Sequence, residues 1–267
     1  MRKKMESRDL LRLVICSDLR KNLLICLNED KKSLGDLRNE LNISSTTAIH
    51  ALRELEKSNL AFQDRDKNYA LTKIGRILTL KVADFSNAVD VLKKHERFWL
   101  EHDLTGIPEH LMEKIGWLND SVLIKNTETE IFKVHSNFIN LLKNAKEIRG
   151  VSPFFIPEFA ILFEELIFEK NTDIQLILTK EVYEKIDKKA MKNIFANKNL
   201  KFKLYLLKGN VSIAFTVADY FLSLGFFHIG GSYDFSNDLV NYNKKAIAWG
   251  SELFEHYIEL SERVVHV

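Results

Sequence analysis

The sequence is poor in proline and cysteine, with 3 and 2 of these residues among 267. So few prolines favour long uninterrupted helices and strands. Cys16 and Cys26 fall ten positions apart in one predicted helix, on different faces, so no disulfide between them is expected. No metal-ligand spacing surrounds them. Both are predicted to be core or surface thiols in a reducing cytosol.

Long hydrophobic runs are also missing. The most apolar window, residues 211–231, contains Asp219 and His228, and it is better explained by buried strands than by a membrane span. The basic residues 1–4 are followed by further charges, a pattern that does not fit a signal peptide. We therefore expect a cytoplasmic protein that does not associate with membranes.

Enzyme signatures are not found either. The sequence has no Gly-x-Ser-x-Gly, P-loop, Gly-x-Gly-x-x-Gly or His-Glu-x-x-His pattern. His95, His102 and His110 are spread across a Gly-Pro break, and solvent-facing histidines explain them better than a metal site. The sequence therefore predicts no catalytic residue, no metal and no cofactor.

What is present is an ordinary globular composition, 46% apolar and 28% charged, in a chain long enough for two domains. The charge is uneven: residues 1–75 hold 15 Lys and Arg against 11 Asp and Glu, and the remainder is slightly acidic. A basic N-terminal part on an acidic remainder fits a nucleic-acid-binding domain that carries a second, non-binding domain.

The stretch 41–72 carries the strongest functional pattern. Ser44 or Ser45 can cap a helix, and Ala48, Leu52 and Leu55 recur on one of its faces. Two short alternating runs follow, with a charged turn at 64–67 between them. A helix followed by a hairpin with a cationic tip is the layout of a winged helix, in which the helix enters the major groove and the wing contacts the backbone.

This layout assigns ten residues to double-stranded DNA. Those on the exposed helix face offer hydroxyls and one long cation, which suit base edges and phosphates, and those of the wing tip suit phosphates. The predicted DNA-binding residues are Ser44, Ser45, Thr46, Thr47, Ile49, His50, Arg53, Arg65, Lys67 and Asn68. The run Thr47-Ala48, Leu52, Leu55-Glu56 and Leu60 resembles the recognition helix of winged-helix regulators of the arsenic-repressor type, with Asn59 in place of the usual glycine.

A long helix is predicted from residue 73 to about residue 101. Its apolar residues recur at alternating steps of four and three, close to a heptad seam. The seam consists of Leu78, Val82, Phe85, Val89 and Leu92. The seam favours pairing of this helix with the same helix of a second chain, so that a homodimer carries two DNA-binding domains. The alternative, a linker helix packed against its own second domain, stays open.

Strands and helices alternate after the break at 105–108. This pattern predicts an α/β domain with a mixed sheet, and its strand order hints at a non-catalytic phospholipase-D-like fold. The overall fold class is therefore α+β or α/β. We predict a winged helix-turn-helix domain at 1–75, a linker or dimerisation helix at 76–104 and an effector domain at 105–267.

Several C-terminal motifs sharpen the resemblance. They are the runs 222–227 (Leu-Ser-Leu-Gly-Phe-Phe), 231–234 (Gly-Ser-Tyr-Asp) and 238–240 (Asp-Leu-Val), with Ala246, Trp249, Gly250, Leu253, Phe254 and Tyr257. They resemble the C-terminal domain of archaeal methanogenesis and filament-growth regulators. The resemblance implies a sequence-specific, effector-responsive transcriptional regulator of metabolic genes in an archaeal methanogen.

An effector pocket is predicted near the end of the sheet, where α/β folds commonly bind ligands. Its polar residues are Asp219, Ser223, His228, Tyr233 and Asp234. The alternative is that they only form turns and caps. Two other functions stay open: a phosphodiesterase, although no histidine is followed two positions later by lysine, and an adaptor that docks on the transcription machinery.

Overall fold

A computed structural model describes residues 6–197 and 199–265. It divides into two compact units, residues 1–86 and 87–267. The division falls inside one helix, which contributes side chains to both cores. The separate linker segment at 76–104 stays a prediction.

The first unit is a winged helix. Its elements are α1 (Ser7–Ile15), α2 (Asp18–Glu29), α3 (Leu34–Leu41), α4 (Ser45–Lys57), β1 (Ala61–Gln63) and β2 (Tyr69–Leu71), followed by the first turns of α5 (Lys73–Lys94). Strands β1 and β2 pair antiparallel. Lys32 forms a further antiparallel bridge to Tyr69, so the loop before α3 is joined to the wing.

Local signals explain most of this unit. Ser33 and Asp36 form a capping box at the start of α3. Asn42 and Asn59 end their helices with positive φ angles of 51° and 57°, which asparagine tolerates. One expectation was wrong: Cys16 and Cys26 do not share one helix, because Ser17 caps a new helix and accepts a hydrogen bond from the Arg20 amide.

The second unit is a mixed eight-stranded sheet with helices on both faces. The strands are β3 (Val122–Lys125), β4 (Glu147–Ser152), β5 (Asp173–Leu178), β6 (Phe202–Leu207), β7 (Ile213–Ala218), β8 (Leu222–Phe226), β9 (Asn237–Asn241) and β10 (Ser261–Arg263). Their order is β10-β6-β5-β4-β7-β8-β9-β3. Strands β4, β5 and β6 are parallel and the other pairs are antiparallel. The predicted mixed sheet is confirmed.

Each face of this sheet has its own apolar core. One core packs α12 (Lys244–Glu259), α6 (Glu96–Glu101), α7 (Glu109–Met112) and the 3-10 helix Ile115–Leu118 on strand residues such as Phe215 and Leu224. The other packs α8 (Lys133–Asn144), α9 (Pro157–Phe168), α10 (Lys180–Lys185) and α11 (Lys188–Ala196) on residues such as Ile174 and Val240.

The long helix predicted from residue 73 is shorter than expected. It ends at Lys94 instead of near residue 101, since His95 turns inward and its Nε2 lies 3.0 Å from the Ser121 carbonyl oxygen. The expectation of solvent-facing histidines was wrong for His95 and His102, which are buried, and only His110 is exposed.

The motif at 238–240 lies in strand β9. The last helix starts after it, at Lys244, with Asn243 as its cap. Strand β9 forms because it pairs with β8 and β3, which flank it. A local sequence pattern does not predict this pairing. No helix among the described residues is long and apolar enough to span a membrane.

Candidate nucleic-acid interface and ligand cavity

The helix-turn-helix is formed by α3 and α4. Ala48, Ala51, Leu52 and Leu55 of α4 are buried in the core of the first unit. The Arg20 guanidinium bonds the Glu54 carboxylate at 2.7 Å, which ties α2 to α4. The orientation of α4, and so the direction of its outer face, is therefore held by packing on one side and an ion pair on the other.

The outer face of α4 carries the predicted DNA-binding residues. Thr46, Thr47, His50 and Arg53 are exposed, as is Ser44 before them, whereas Ser45 and Ile49 are partly buried. Two of these hydroxyls also have a structural role, because Ser44 Oγ accepts a hydrogen bond from the Thr47 amide and lies 2.8 Å from Thr47 Oγ1. The long side chains at 50 and 53 are the ones that extend furthest from the helix.

The wing tip is built around one carboxylate. Asp64 Oδ1 accepts hydrogen bonds from the Asp66 and Asn68 amides at 3.0 and 2.9 Å, and the bond from Asn68 is the main reason that the pKa of Asp64 is lowered. Lys67 adopts a φ of 64° in this turn. The tight turn leaves Arg65 and Lys67 exposed and Asn68 partly buried.

The cations of this surface are free to bind an anion. Within residues 6–197 and 199–265, Arg53, Arg65 and Lys67 form no salt bridge, whereas Lys31 pairs with Asp64 and Lys32 with Glu29 and Glu40. An ion pair inside the protein would have to be broken before a phosphate could replace it. The three unpaired cations therefore suit contact with a polyanion.

A cavity of about 990 Å³ lies in the second unit between the sheet and helices α8 to α11. Its floor consists of small and polar residues on adjacent strands: Gly150 pairs with Thr216, and Thr216 with Ser223. Residues that pair directly lie on the same face of a sheet. The walls are apolar and rich in phenylalanine, including Phe132, Phe138, Phe155, Phe159 and Phe163.

Three polar side chains, Ser223, Asp238 and Tyr233, mark the floor. Ser223 Oγ donates to the Asp238 carboxylate, with both oxygens at 2.9 Å. Burial raises the pKa of Asp238 to about 7, with the Ser223 bond acting in the opposite direction. Tyr233 lies over Gly225, where a Cβ would come within 1.9 Å of the tyrosine hydroxyl oxygen. Burial also raises the pKa of Tyr233.

The structure does not bring the five predicted pocket residues together. Ser223 and Tyr233 line the cavity. Asp219 instead accepts a hydrogen bond from the Lys146 amide at 2.9 Å. His228 and Asp234 lie beside His102 in a separate cluster. Sequence reasoning missed Asp238 and Thr216, although Asp238 opens one of the motifs that carry the resemblance.

The predicted seam on α5 is also divided. Leu78 and Val82 are partly buried and pack against the core of the winged helix. Phe85, Val89 and Leu92 are 58%, 47% and 40% exposed. Leu78 and Val82 are therefore used within the first unit, and only the C-terminal part of the seam presents a free apolar surface.

These features define a protein class: a winged helix with unpaired cations, in one chain with an α/β domain that holds an apolar cavity. Two family models match the chain, the N-terminal domain of methanogenesis regulatory protein FilR1 over residues 8–90 and its middle domain over residues 131–260. The chain belongs to this family of regulatory proteins.

A curated relative agrees with this assignment. Methanogenesis regulatory protein FilR1 of Methanothrix harundinacea (strain 6Ac) is 27% identical over 268 residues, which cover 97% of this chain and 60% of the relative. The chain thus spans only about three fifths of the relative's length.

Solved structures show weaker likeness. TrmBL2, an archaeal chromatin protein, matches with a TM-score of 0.43 and 15% identity, over 95% of this chain and 97% of that one. Nuc from Salmonella typhimurium, a phospholipase D family member, matches with a TM-score of 0.41 and 13% identity, over 54% of this chain and 97% of that one.

Proposed function

We propose that this protein is a sequence-specific DNA-binding transcription regulator whose targets include methanogenesis genes. The observation that supports this proposal most directly is the state of three cations. Arg53 on the outer face of α4, and Arg65 and Lys67 at the wing tip, are exposed and unpaired among the described residues. The relative's name, a methanogenesis regulatory protein, supports the choice of genes. In this proposal α4 reads base edges and the wing contacts phosphate.

Selection from a random duplex pool tests this function. The full chain should enrich a sequence that it then binds, in a gel shift, at least about a thousandfold more tightly than competitor duplex, the lower end for specific DNA-binding proteins. Binding with no sequence preference would contradict the proposal. No binding to any naked duplex would favour the adaptor function instead.

We further propose that two chains pair through the exposed part of α5. Phe85, Val89 and Leu92 lie on one face of the helix at the spacing of a coiled-coil seam. Side chains this apolar are normally covered in a soluble assembly. Pairing would hold two recognition helices at a fixed separation, as binding to a two-fold DNA site requires.

The cavity is the proposed effector site. Its volume of about 990 Å³ lies at the upper end of the range for small-molecule sites. Phenylalanine walls and a floor with Ser223, Asp238 and Tyr233 fit a predominantly apolar molecule with one hydrogen-bonding head group. In this proposal, an effector bound in the second unit changes the affinity of the winged helix for DNA, because both belong to one chain.

The cavity lining supports a non-catalytic role for the second unit. Phosphodiester hydrolysis of the phospholipase D kind requires a nucleophilic histidine with a lysine two positions later. His135 and Lys185 line the cavity, but they lie on α8 and α10, far apart in the chain, and do not form this pair. A hydrolysis assay with a chromogenic phosphodiester should therefore show no rate above that of buffer, and turnover would contradict this part of the proposal.

A further inference from the structure

A second polar cluster in the second unit lies outside the cavity lining. It consists of His102, which follows α6, His228, which follows β8, and Asp234 in the loop before β9. One ligand atom from each lies within 4.8 Å of the others. His102 and Asp234 are buried, at 4% exposure each, while the His228 side chain is 40% exposed.

The hydrogen bonds fix the orientation of these side chains. His102 Nδ1 lies 2.6 Å from the Phe98 carbonyl oxygen. A carbonyl can only accept, so Nδ1 carries the proton and donates it. In the neutral ring, Nε2 then carries a lone pair, and it lies 3.0 Å from Asp234 Oδ2. Two lone pairs facing each other at this distance require a proton or a metal ion between them.

The neighbouring histidine favours the metal ion. The rings of His102 and His228 are stacked, with centroids 4.8 Å apart and planes at 20°, and His228 Nε2 lies 3.9 Å from Asp234 Oδ1. Both imidazole nitrogens thus face the same carboxylate. A proton would join only one ring to the carboxylate, whereas one metal ion would accept both lone pairs and the carboxylate together.

The carboxylate is held as metal-binding carboxylates commonly are. Asp234 Oδ1 accepts a hydrogen bond from the Ser236 amide at 2.8 Å, and Oδ2 accepts one from Asn237 Nδ2 at 2.7 Å. Together with the bond from His102 Nδ1, these are the outer contacts that orient ligands and fix the tautomer in metal sites.

We propose that His102, His228 and Asp234 bind one divalent transition-metal ion. Two imidazoles and one carboxylate suit Zn²⁺ or Fe²⁺ and leave a coordination position for water or a small ligand. Since Tyr233 and Phe235 line the cavity and Asp234 lies between them in the chain, the ion would hold in place a loop that contributes to the cavity wall. This inference does not rest on DNA binding.

Zn²⁺ titration of the full chain, after removal of metal with a chelator, tests the site. Wild type should bind one Zn²⁺ per chain with a rise in Tm, and Co²⁺ in its place should give the visible bands of a low-coordinate site. His228→Ala should weaken binding more than about tenfold, since the loss of even an outer contact of a ligand costs about 10- to 100-fold. His228 is partly exposed, so its removal should preserve the fold.

The control is His110→Ala, which removes an exposed histidine near His256. It should bind Zn²⁺ as wild type does. Asp234→Asn keeps the shape of the side chain and should also lose the site, so one variant that fails to fold leaves the other. No one-to-one binding, or equal binding by wild type and His228→Ala, would overturn the proposal.

Discussion

The two units hold their functional side chains in opposite ways. In the winged helix, the proposed contacts come from one short stretch, lie outside the core and are exposed or only partly buried. In the second unit, the cavity floor draws on four strands, β4, β7, β8 and β9, and its polar groups are buried. Changes in the first unit should therefore alter DNA binding without altering the fold, whereas changes in the second should also alter stability.

The largest expected effect is on the pairing of two chains. There, a change at an exposed position should alter the oligomeric state and not only a DNA contact. Phe85→Asp would place a charge in the proposed interface between chains, and an unpaired buried charge is strongly unfavourable. The variant should sediment as a monomer and lose specific DNA binding while its winged helix stays folded by circular dichroism. Leu80→Asp is the matched control: Leu80 is 52% exposed on the same helix but lies away from the seam.

A dimeric Phe85→Asp variant with normal DNA affinity would exclude pairing through α5. The helix would then act only as a connection between the units. If Leu80→Asp also became monomeric, the effect would come from added charge on the helix and not from the seam.

The second prediction concerns the buried carboxylate of the cavity. An acid whose folded-state pKa is raised binds more protons when folded than when unfolded, so stability falls as pH rises from about 4, the ordinary aspartate value. Because the pKa of Asp238 is raised to about 7, this loss should be complete above pH 7. Asp238→Asn should raise the free energy of unfolding by up to about 4 kcal/mol at pH 8 and change it little at pH 4.

Urea denaturation at both pH values measures this difference. Asp219→Asn is the control, since Asp219 is exposed, and that variant should keep the wild-type pH dependence. A stability difference between Asp238→Asn and wild type that does not change with pH would mean that Asp238 is not held in an apolar setting.

The same contrast explains what could be predicted from sequence. The capping box at Ser33, the cap at Ser44 and the left-handed Asn59 are local, so their positions in the chain suffice to predict them. Strand β9 and the Asp238 floor depend on pairing with β8 and β3. Tyr233 lies over Gly225 only because the loop folds back on the sheet, and His102 meets Asp234 across 132 positions. The spacing of residues along the sequence does not predict such contacts.

A smaller effect is expected at the recognition helix. Arg53 is exposed on α4, and a bidentate contact with guanine would contribute about 1–3 kcal/mol. Arg53→Ala should weaken binding to the selected sequence by that amount and relax the preference at one base position. The measurement is a repeated selection with the variant, and unchanged affinity together with unchanged preference would exclude the contact.

The smallest change is expected at the wing, and it should not depend on sequence. Arg65 and Lys67 are exposed at a tip held rigid by Asp64, so replacing both by alanine should remove two phosphate contacts. Binding to all duplexes should weaken alike, and the slope of log K against log salt should fall by about 2.

The charge-matched control is Lys244→Ala with Lys245→Ala, which removes two exposed cations from the second unit. If this control lowered the slope as much, the effect would come from net charge and not from the wing. A loss confined to one sequence would mean that the wing reads bases, and the division of roles between α4 and the wing would then be wrong.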